Sequence, residues 1–292
     1  MRKTEGIVRS ISAAALAAGL SLGFGQIALA ADLPLKAPPA PIASWTGPYV
    51  GLGLGARWDD VDGSVSAATN NGVNILCTPQ TVGPCTDTKL NDTSFRISGY
   101  LGYNWQVSPS WVVGIEGDFG WADNKKTLQG AIYPGGNFPF YLTQRTDDFF
   151  TFKSTWDAGI RGRIGYLVTP ATLVFATGGA QWMEIKTESR CGVLSDCVPG
   201  AFAVLFAPAN ISHTDTRVGW TVGGGIEWMV TPNWLVRGEY RYADFGRATF
   251  TDTRVNPAGP VTQVATYSVD VVTHTALFGI AYKFGSPVVA RY

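Results

Sequence analysis

The feature that most constrains this chain is a two-residue alternation whose apolar stripes begin and end on aromatic side chains. In the segment 95–105, Phe95, Ile97, Gly99, Leu101, Tyr103 and Trp105 share one face, and Arg96, Ser98, Tyr100, Gly102 and Asn104 share the other. Over 111–121, Trp111, Val113, Ile115, Gly117, Phe119 and Trp121 oppose Glu116 and Asp118. Over 156–166, Trp156, Ala158, Ile160, Gly162, Ile164 and Tyr166 oppose Asp157, Arg161 and Arg163. Over 234–242, Trp234, Val236, Gly238, Tyr240 and Tyr242 oppose Arg237, Glu239 and Arg241. Side chains alternate across a strand, so each segment has one apolar and one charged face. The aromatic pairs 95/105, 111/121, 156/166, 220/228 and 234/242 are in phase and eight to ten residues apart. At about 3.3 Å per residue and a tilt near 45°, ten residues rise roughly 23 Å, close to the apolar band of a membrane barrel. A soluble sandwich shares the alternation but has no reason to cap both ends of each stripe. A barrel in a bilayer does, because Trp and Tyr gather at the two interfaces.

Eight strand-like segments emerge, near 49–58, 95–105, 111–122, 152–168, 172–186, 216–230, 234–245 and 270–284. Most match the 9–11 residues that cross a bilayer at a tilt. The first and fifth have the weakest alternation. An internal repeat marks the turns: Val107-Ser108-Pro109, Val168-Thr169-Pro170 and Val230-Thr231-Pro232, where proline favours a tight connection. The alternate connections, about 59–94, 123–151, 187–215 and 246–269, are far longer. The pattern predicts an all-β fold over residues 45–284: an eight-stranded antiparallel up-and-down transmembrane β-barrel with short periplasmic turns and long extracellular loops.

Residues 1–30 read as a signal peptide. Arg2, Lys3 and Arg9 precede an apolar, alanine-rich run that ends at Ala28-Leu29-Ala30, a small-x-small cleavage site. Its removal leaves 19 basic against 21 acidic residues. Residues 31–44 form a Pro-rich periplasmic segment, unsuited to a sheet interior, and 285–292 a short C-terminal tail. Charged residues are 15% of the chain and balance to zero, and basic clusters are few, which argues against a nucleic-acid partner. The cysteines fall as close pairs, Cys77/Cys85 and Cys191/Cys197. In an oxidising compartment two short disulfide loops are the simplest of three connectivities. A metal site would want tighter Cys spacing or nearby histidines, and the sequence implies no cofactor or metal.

Several phrases carry a resemblance. The start ADLPLKAPPAP followed by SWTGPYVGLGLG (Ser44–Gly55), the phrase GEYRYADFG (Gly238–Gly246) and the closing HTALFGIAYKF (His274–Phe284) together resemble small alphaproteobacterial outer-membrane barrels. The resemblance covers about residues 31–284. It implies an eight-stranded barrel of the OmpA-like transmembrane type, within a group of major surface proteins and antigens of the Gram-negative cell outer membrane. It also implies that Phe278, Ile280, Tyr282 and Phe284 form the terminal strand signal read by the outer-membrane assembly machinery. In that family the terminal Phe usually ends the chain, whereas Gly285–Tyr292 follows it here.

The charged faces collect Arg96, Glu116, Asp118, Asp157, Arg161, Arg163, Glu227, Arg237, Glu239 and Arg241. An eight-stranded barrel has an interior just wide enough for side chains to fill, so these residues are expected to form a salt-bridged plug. The competing reading is a narrow pore, with glycines such as Gly223, Gly225 and Gly279 leaving voids. His213 and His274 lie on non-neighbouring strands near the loop-side rim and offer no paired nucleophile–base motif, so no enzyme is expected. The apolar loop stretches Gly130–Leu142 and Val198–Ile211 are candidate recognition surfaces. The expected role is structural, supporting envelope integrity and presenting surface loops. A small porin for ions or solutes, and loop-mediated binding of a ligand or host factor, are the alternatives. Outer-membrane lipid and lipopolysaccharide are the expected surroundings.

Overall fold

The computed structural model describes residues 44–70, 72–74, 88–129, 149–191, 209–255 and 262–285. Eight long strands dominate: β1 (Gly47–Asn70), β2 (Asp92–Gln106), β3 (Trp111–Gln129), β4 (Phe149–Thr169), β5 (Thr172–Cys191), β6 (Ala209–Thr231), β7 (Trp234–Val255) and β8 (Thr262–Lys283). Each pairs antiparallel with its sequence neighbour, and β1 pairs with β8 from Tyr49↔Lys283 upward, which closes the ring. Ring closure is what lets strands cross a bilayer, because it leaves no backbone group unpaired in lipid.

The repeated Val-Ser/Thr-Pro phrases sit at the three short connections. After β2, the backbone N–H of Val107 donates to Trp111 O at 3.0 Å, and Trp234 N donates to Thr231 Oγ1 at 3.1 Å before β7. Outward positions carry the predicted stripes: Phe95, Ile97, Leu101 and Trp105 on β2, Trp111, Ile115, Phe119 and Trp121 on β3, Ile160, Ile164 and Tyr166 on β4 are all exposed. The aromatics form two girdles whose members touch across strands. Trp111 and Tyr166, and Trp234 and Tyr282, meet near the short turns with ring centroids 5.3 Å apart. Trp220 meets Tyr242 at 5.3 Å, and Phe119 stacks on Trp156 at 6.1 Å, on the loop side.

The loop side departs from expectation. Much of the four stretches read as long loops continues as strand: β1 runs to Asn70, β3 to Gln129, β5 to Cys191, β6 begins at Ala209, and β7 and β8 reach Val255 and Thr262. The reason is a change of phase. β-bulges between Trp121/Asn124, Ser154/Asp157 and Asp270/Val272 interrupt the ladders just beyond the outer girdle, and an extra residue switches which parity faces inward. On β4 the buried set moves from Asp157, Arg161 and Arg163 to Phe150, Phe152 and Ser154. Outside the membrane the pattern also inverts, with apolar side chains pointing in.

The ring does not stay closed to the top. The β6–β7 ladder stops at Trp220↔Asp244, although both strands run on. Gly246, at a left-handed φ of +63° that favours glycine, turns β7 at this point, and its N–H donates to Asp244 Oδ1 at 2.8 Å. The β2–β3 ladder likewise stops at Arg96↔Ala122. Above the girdle the strands therefore form two sheets, β7–β8–β1 and β3–β4–β5–β6. Val61, Phe245, Ala248, Val269 and Val271 from the first pack against Phe150, Phe152, Met183 and Ile185 from the second, with Leu90 among them.

Residues 1–43 and 286–292, and with them the signal peptide, most of the Pro-rich segment and most of the tail, lie outside the described residues. So do Cys77, Cys85 and Cys197, Gly130–Leu142 and most of Val198–Ile211; the backbone of Cys191 ends β5.

Candidate functional site: the barrel lumen

Every residue of the interior charge cluster expected from sequence is buried. Arg96, Glu116, Asp118, Asp157, Arg161, Arg163, Glu227, Arg237, Glu239 and Arg241 all face inward. Two further members, Arg57 and Asp59 on β1, escaped the sequence reading because that strand's alternation is blurred by its glycines. The signal was there: they continue the parity of Gly51, Gly53 and Gly55. The arginine–carboxylate network then contains six arginines and six carboxylates, balanced within itself where an uncompensated charge is costly, and Lys283 is buried apart from it beside the short turns.

The network is built in levels. Near the loop side, Arg57 Nη1 donates to Asp157 Oδ2 at 2.9 Å, Arg57 Nε lies 3.2 Å from Asp59 Oδ1, and Arg57 Nη2 donates to Ser154 Oγ at 2.6 Å. Arg96 grips Asp157 with Nε at 3.0 Å and a short second contact through Nη2, and reaches Asp118 at 3.0 Å. At mid-height Asp118 Oδ2 also accepts from Arg241 at 2.7 Å, and its Oδ1 forms an ion pair with Arg161 Nη1 at 3.0 Å without a hydrogen bond. Arg241 bonds Glu239 at 2.6 Å. Glu116 is the hub below: Arg161 Nη2 at 2.6 Å, Arg237 at 2.6 and 3.1 Å, and the Tyr49 hydroxyl at 2.8 Å all converge on it. Arg163 pairs with Glu227 at 2.5 Å and lies 4.4 Å from the Phe175 ring centroid, while Arg237 lies 3.6 Å from that of Tyr100. Bidentate and shared contacts of this kind suit the guanidinium fork.

The network is enclosed by apolar layers. Toward the short turns lie Trp45, Val112, Leu167, Leu173, Met229, Leu235 and Ala281. Trp45 is fully buried, and its indole N–H donates to Pro170 O at 3.1 Å. Toward the loops lies the core shared by the two sheets. On β1 the order is Tyr49, then Arg57 and Asp59, then Val61; on β4 it is Leu167, Arg163, Arg161, Asp157, then Phe152. Among the described residues, Asn104 Nδ2 and Oδ1, Thr177 Oγ1 and Gln181 Oε1 are buried without a hydrogen-bond partner.

The other sequence candidates fall elsewhere. His213 pairs in register with Thr187 above the membrane, its ring 5.7 Å from that of Phe250. His274 lies in the outer girdle, with Nδ1 2.6 Å from the Tyr240 hydroxyl. None of the three glycines proposed as voids leaves free space: a Cβ would come within 2.7 Å of Tyr240 O at Gly223 and 2.8 Å of Tyr100 Oη at Gly279, and would clash with the Gly238 carbonyl at Gly225. Phe278, Ile280 and Tyr282 face outward along β8, and Phe284 follows, its N–H donating to Pro48 O at 2.8 Å.

A closed ring of eight antiparallel strands, apolar outside, girdled by aromatics and charged within, defines a transmembrane β-barrel of the outer membrane. The sequence matches the family described as outer membrane protein beta-barrel domain over residues 17–284, and the chain belongs to that family. It is similar to the 31 kDa outer-membrane immunogenic protein of Brucella melitensis biotype 1 (27% identity over 91% of this chain and 98% of that protein). It is also similar to the 25 kDa outer-membrane immunogenic protein of Brucella abortus biovar 1 (26%, 95% and 100%). Among solved structures it resembles OprG from Pseudomonas aeruginosa (TM-score 0.46, 14% identity, 82% of this chain and 97% of that one). The protein resides in the outer membrane of a Gram-negative cell.

Proposed function

We propose that this barrel is a structural protein of the envelope, anchoring its loop-side sheets at the cell surface and sealing rather than perforating the membrane. The observation that carries this reading is the filled lumen, six arginines against six carboxylates held between two apolar layers. Passage of an ion would require it to cross both layers and displace partners that are already paired. The test is single-channel conductance of the refolded protein in a planar bilayer. A folded but silent barrel is expected, and discrete, reproducible steps would overturn the proposal. A small porin is the second reading, favoured by the orphan polar atoms of Asn104, Thr177 and Gln181, since buried polar groups of this kind commonly hold water. Catalysis has no support in the geometry. His213 sits above the membrane between two sheets and His274 faces outward in the girdle, so the two cannot share a substrate.

The names of the Brucella relatives speak of immunogenic proteins. Surface presentation of this chain's loops follows as part of the same reading, and protease or antibody access on intact cells checks it. The outward Phe278, Ile280 and Tyr282, with Phe284, are proposed as the strand signal for assembly machinery. Deleting the residues after Phe284 should leave assembly unchanged if that signal is internal.

A further inference from the structure

The Val-Ser/Thr-Pro phrases mark more than turns. β2, β4, β6 and β8 all run toward the short-turn rim, and their outward faces end alike. β2 leads through Tyr103 and Trp105 to Val107, and β4 through Ile164 and Tyr166 to Val168. β6 leads through Ile226 and Trp228 to Val230, and β8 through Ile280 and Tyr282 to Phe284. Each set places a large side chain, an aromatic and then Val or Phe at every second residue. A Ser/Thr-Pro step follows each, after one glycine in the last, at Ser286-Pro287. The inward neighbours of the final pair, Gln106, Leu167, Met229 and Lys283, share no chemistry. What recurs is the outward ridge.

Lipid does not account for the last residue of that ridge. Val107 is 62% exposed, Val168 54%, Val230 50% and Phe284 48%. They stand two residues past the girdle aromatic, roughly 5 Å further along the barrel axis, where the wall has already met the interface. At the opposite rim the equivalent place is acidic: Asp123 follows Trp121 by two residues and Asp244 follows Tyr242. The turns call for Ser, Thr and Pro, not for the valine ahead of them. The odd strands show no such ending at this rim, which they leave from Pro109, Pro170 and Pro232, two residues before Trp111, Thr172 and Trp234. An apolar ridge on an extended segment, read in one chain direction, suits strand addition to an open sheet edge, where backbone bonds hold the segment and pockets take alternate side chains. In the finished ring these backbones are already paired, Val107 N–H to Trp111 O and Phe284 N–H to Pro48 O, so such recognition precedes closure. We propose that the ends of β2, β4 and β6 are internal copies of the strand signal at the end of β8, each taken in turn by the assembly machinery. The inference rests on the role proposed for β8. With a copy on every second strand, each β-hairpin carries one, and the chain is handed over two strands at a time.

The test follows assembly of the full chain, by heat-modifiable gel migration, into vesicles that carry the assembly machinery and into vesicles that lack it. Peptides spanning residues 97–107, 158–168, 220–230 and 274–284 compete in the first arm, with 111–121 from β3 as control. The four even-strand peptides should slow assisted assembly and the control should not. Val107→Asn, Val168→Asn and Val230→Asn combined, with Tyr282 and Phe284 intact, should slow it at least about threefold, the effect of losing even part of a valine's apolar contact, and leave unassisted folding unchanged. Should the triple variant fail to fold unassisted, the peptides decide. Competition by 274–284 alone would overturn the internal copies and leave the β8 signal standing. Competition by none of the peptides would overturn both, and competition by the internal three without 274–284 would overturn the role of β8 from which the inference starts. Equal competition by 111–121, or an equal loss in both kinds of vesicle, would reduce the pattern to strand character and overturn the proposal.

Discussion

Glu116 is the place to ask whether the lumen is dry. Its two oxygens accept from Arg161, from both terminal nitrogens of Arg237 and from Tyr49, all between 2.6 and 3.1 Å, and Arg163 stands 3.9 Å away. Glu116→Gln keeps the shape and removes one negative charge, leaving six arginines against five carboxylates. Breaking one partner of a buried pair costs about 3–5 kcal/mol, because the remaining charge is stranded. Arg237→Met strands charge of the opposite sign and should cost a similar amount. The combined variant restores the balance at five and five. Its destabilisation should fall short of the sum of the two by at least ~2 kcal/mol, the coupling expected of residues in one buried network. The assay is urea unfolding of the protein in lipid vesicles, read by tryptophan fluorescence and by heat-modifiable gel migration. If each single change costs under about 1 kcal/mol, the value for water-exposed pairs, or if the two add simply, the lumen is hydrated and the reasoning fails.

Other expectations concern the wall and its ends. Ile160→Arg places a charge on the lipid face near mid-membrane and should cost about 2–4 kcal/mol, whereas Trp111→Arg at the interface should cost no more than about 1 kcal/mol from charge alone; folding equilibria into vesicles separate them. Trp45→Ala empties a fully buried site at the short-turn end and should cost about 3–5 kcal/mol, with the bilayer still silent because the charged layer remains. Gly246→Ala forces a side chain into left-handed backbone and should cost about 1–2 kcal/mol, seen in proteolysis of the loop side before any change in the membrane ring. Arg247→Ala removes an exposed bidentate contact to Asp270 and should change stability by less than about 1 kcal/mol.

The membrane-crossing part was legible because lipid imposes one rule on every strand: apolar out, polar in, aromatics at both edges. Trp111 and Trp121, or Trp156 and Tyr166, announce depth as well as facing. β1 and β5 were harder. Gly51, Gly53 and Gly55 carry no polarity, so Arg57 and Asp59 looked like the beginning of a loop. On β5, Leu173 and Phe175 face in while Val174 faces out, and two apolar faces give no alternation to read. Above the membrane the rule lapses. Water accepts polar side chains outside the sheets, apolar ones gather within, and bulges at Ser154/Asp157 and Asp270/Val272 change parity midway. A reading tied to a single period therefore stops within a few residues of the girdle on most strands.

The place where the β6–β7 ladder gives out has a meaning of its own. A hoop immersed in oil cannot tolerate a break, since each unpaired amide there costs several kcal/mol; a hoop in water can, because the solvent satisfies the loose edge. The seam begins at Trp220 and Asp244, the former a girdle tryptophan whose ring tilts against that of Tyr242. The backbone thus records the waterline independently of any side chain: the height at which the barrel unbuttons is the height at which the membrane ends.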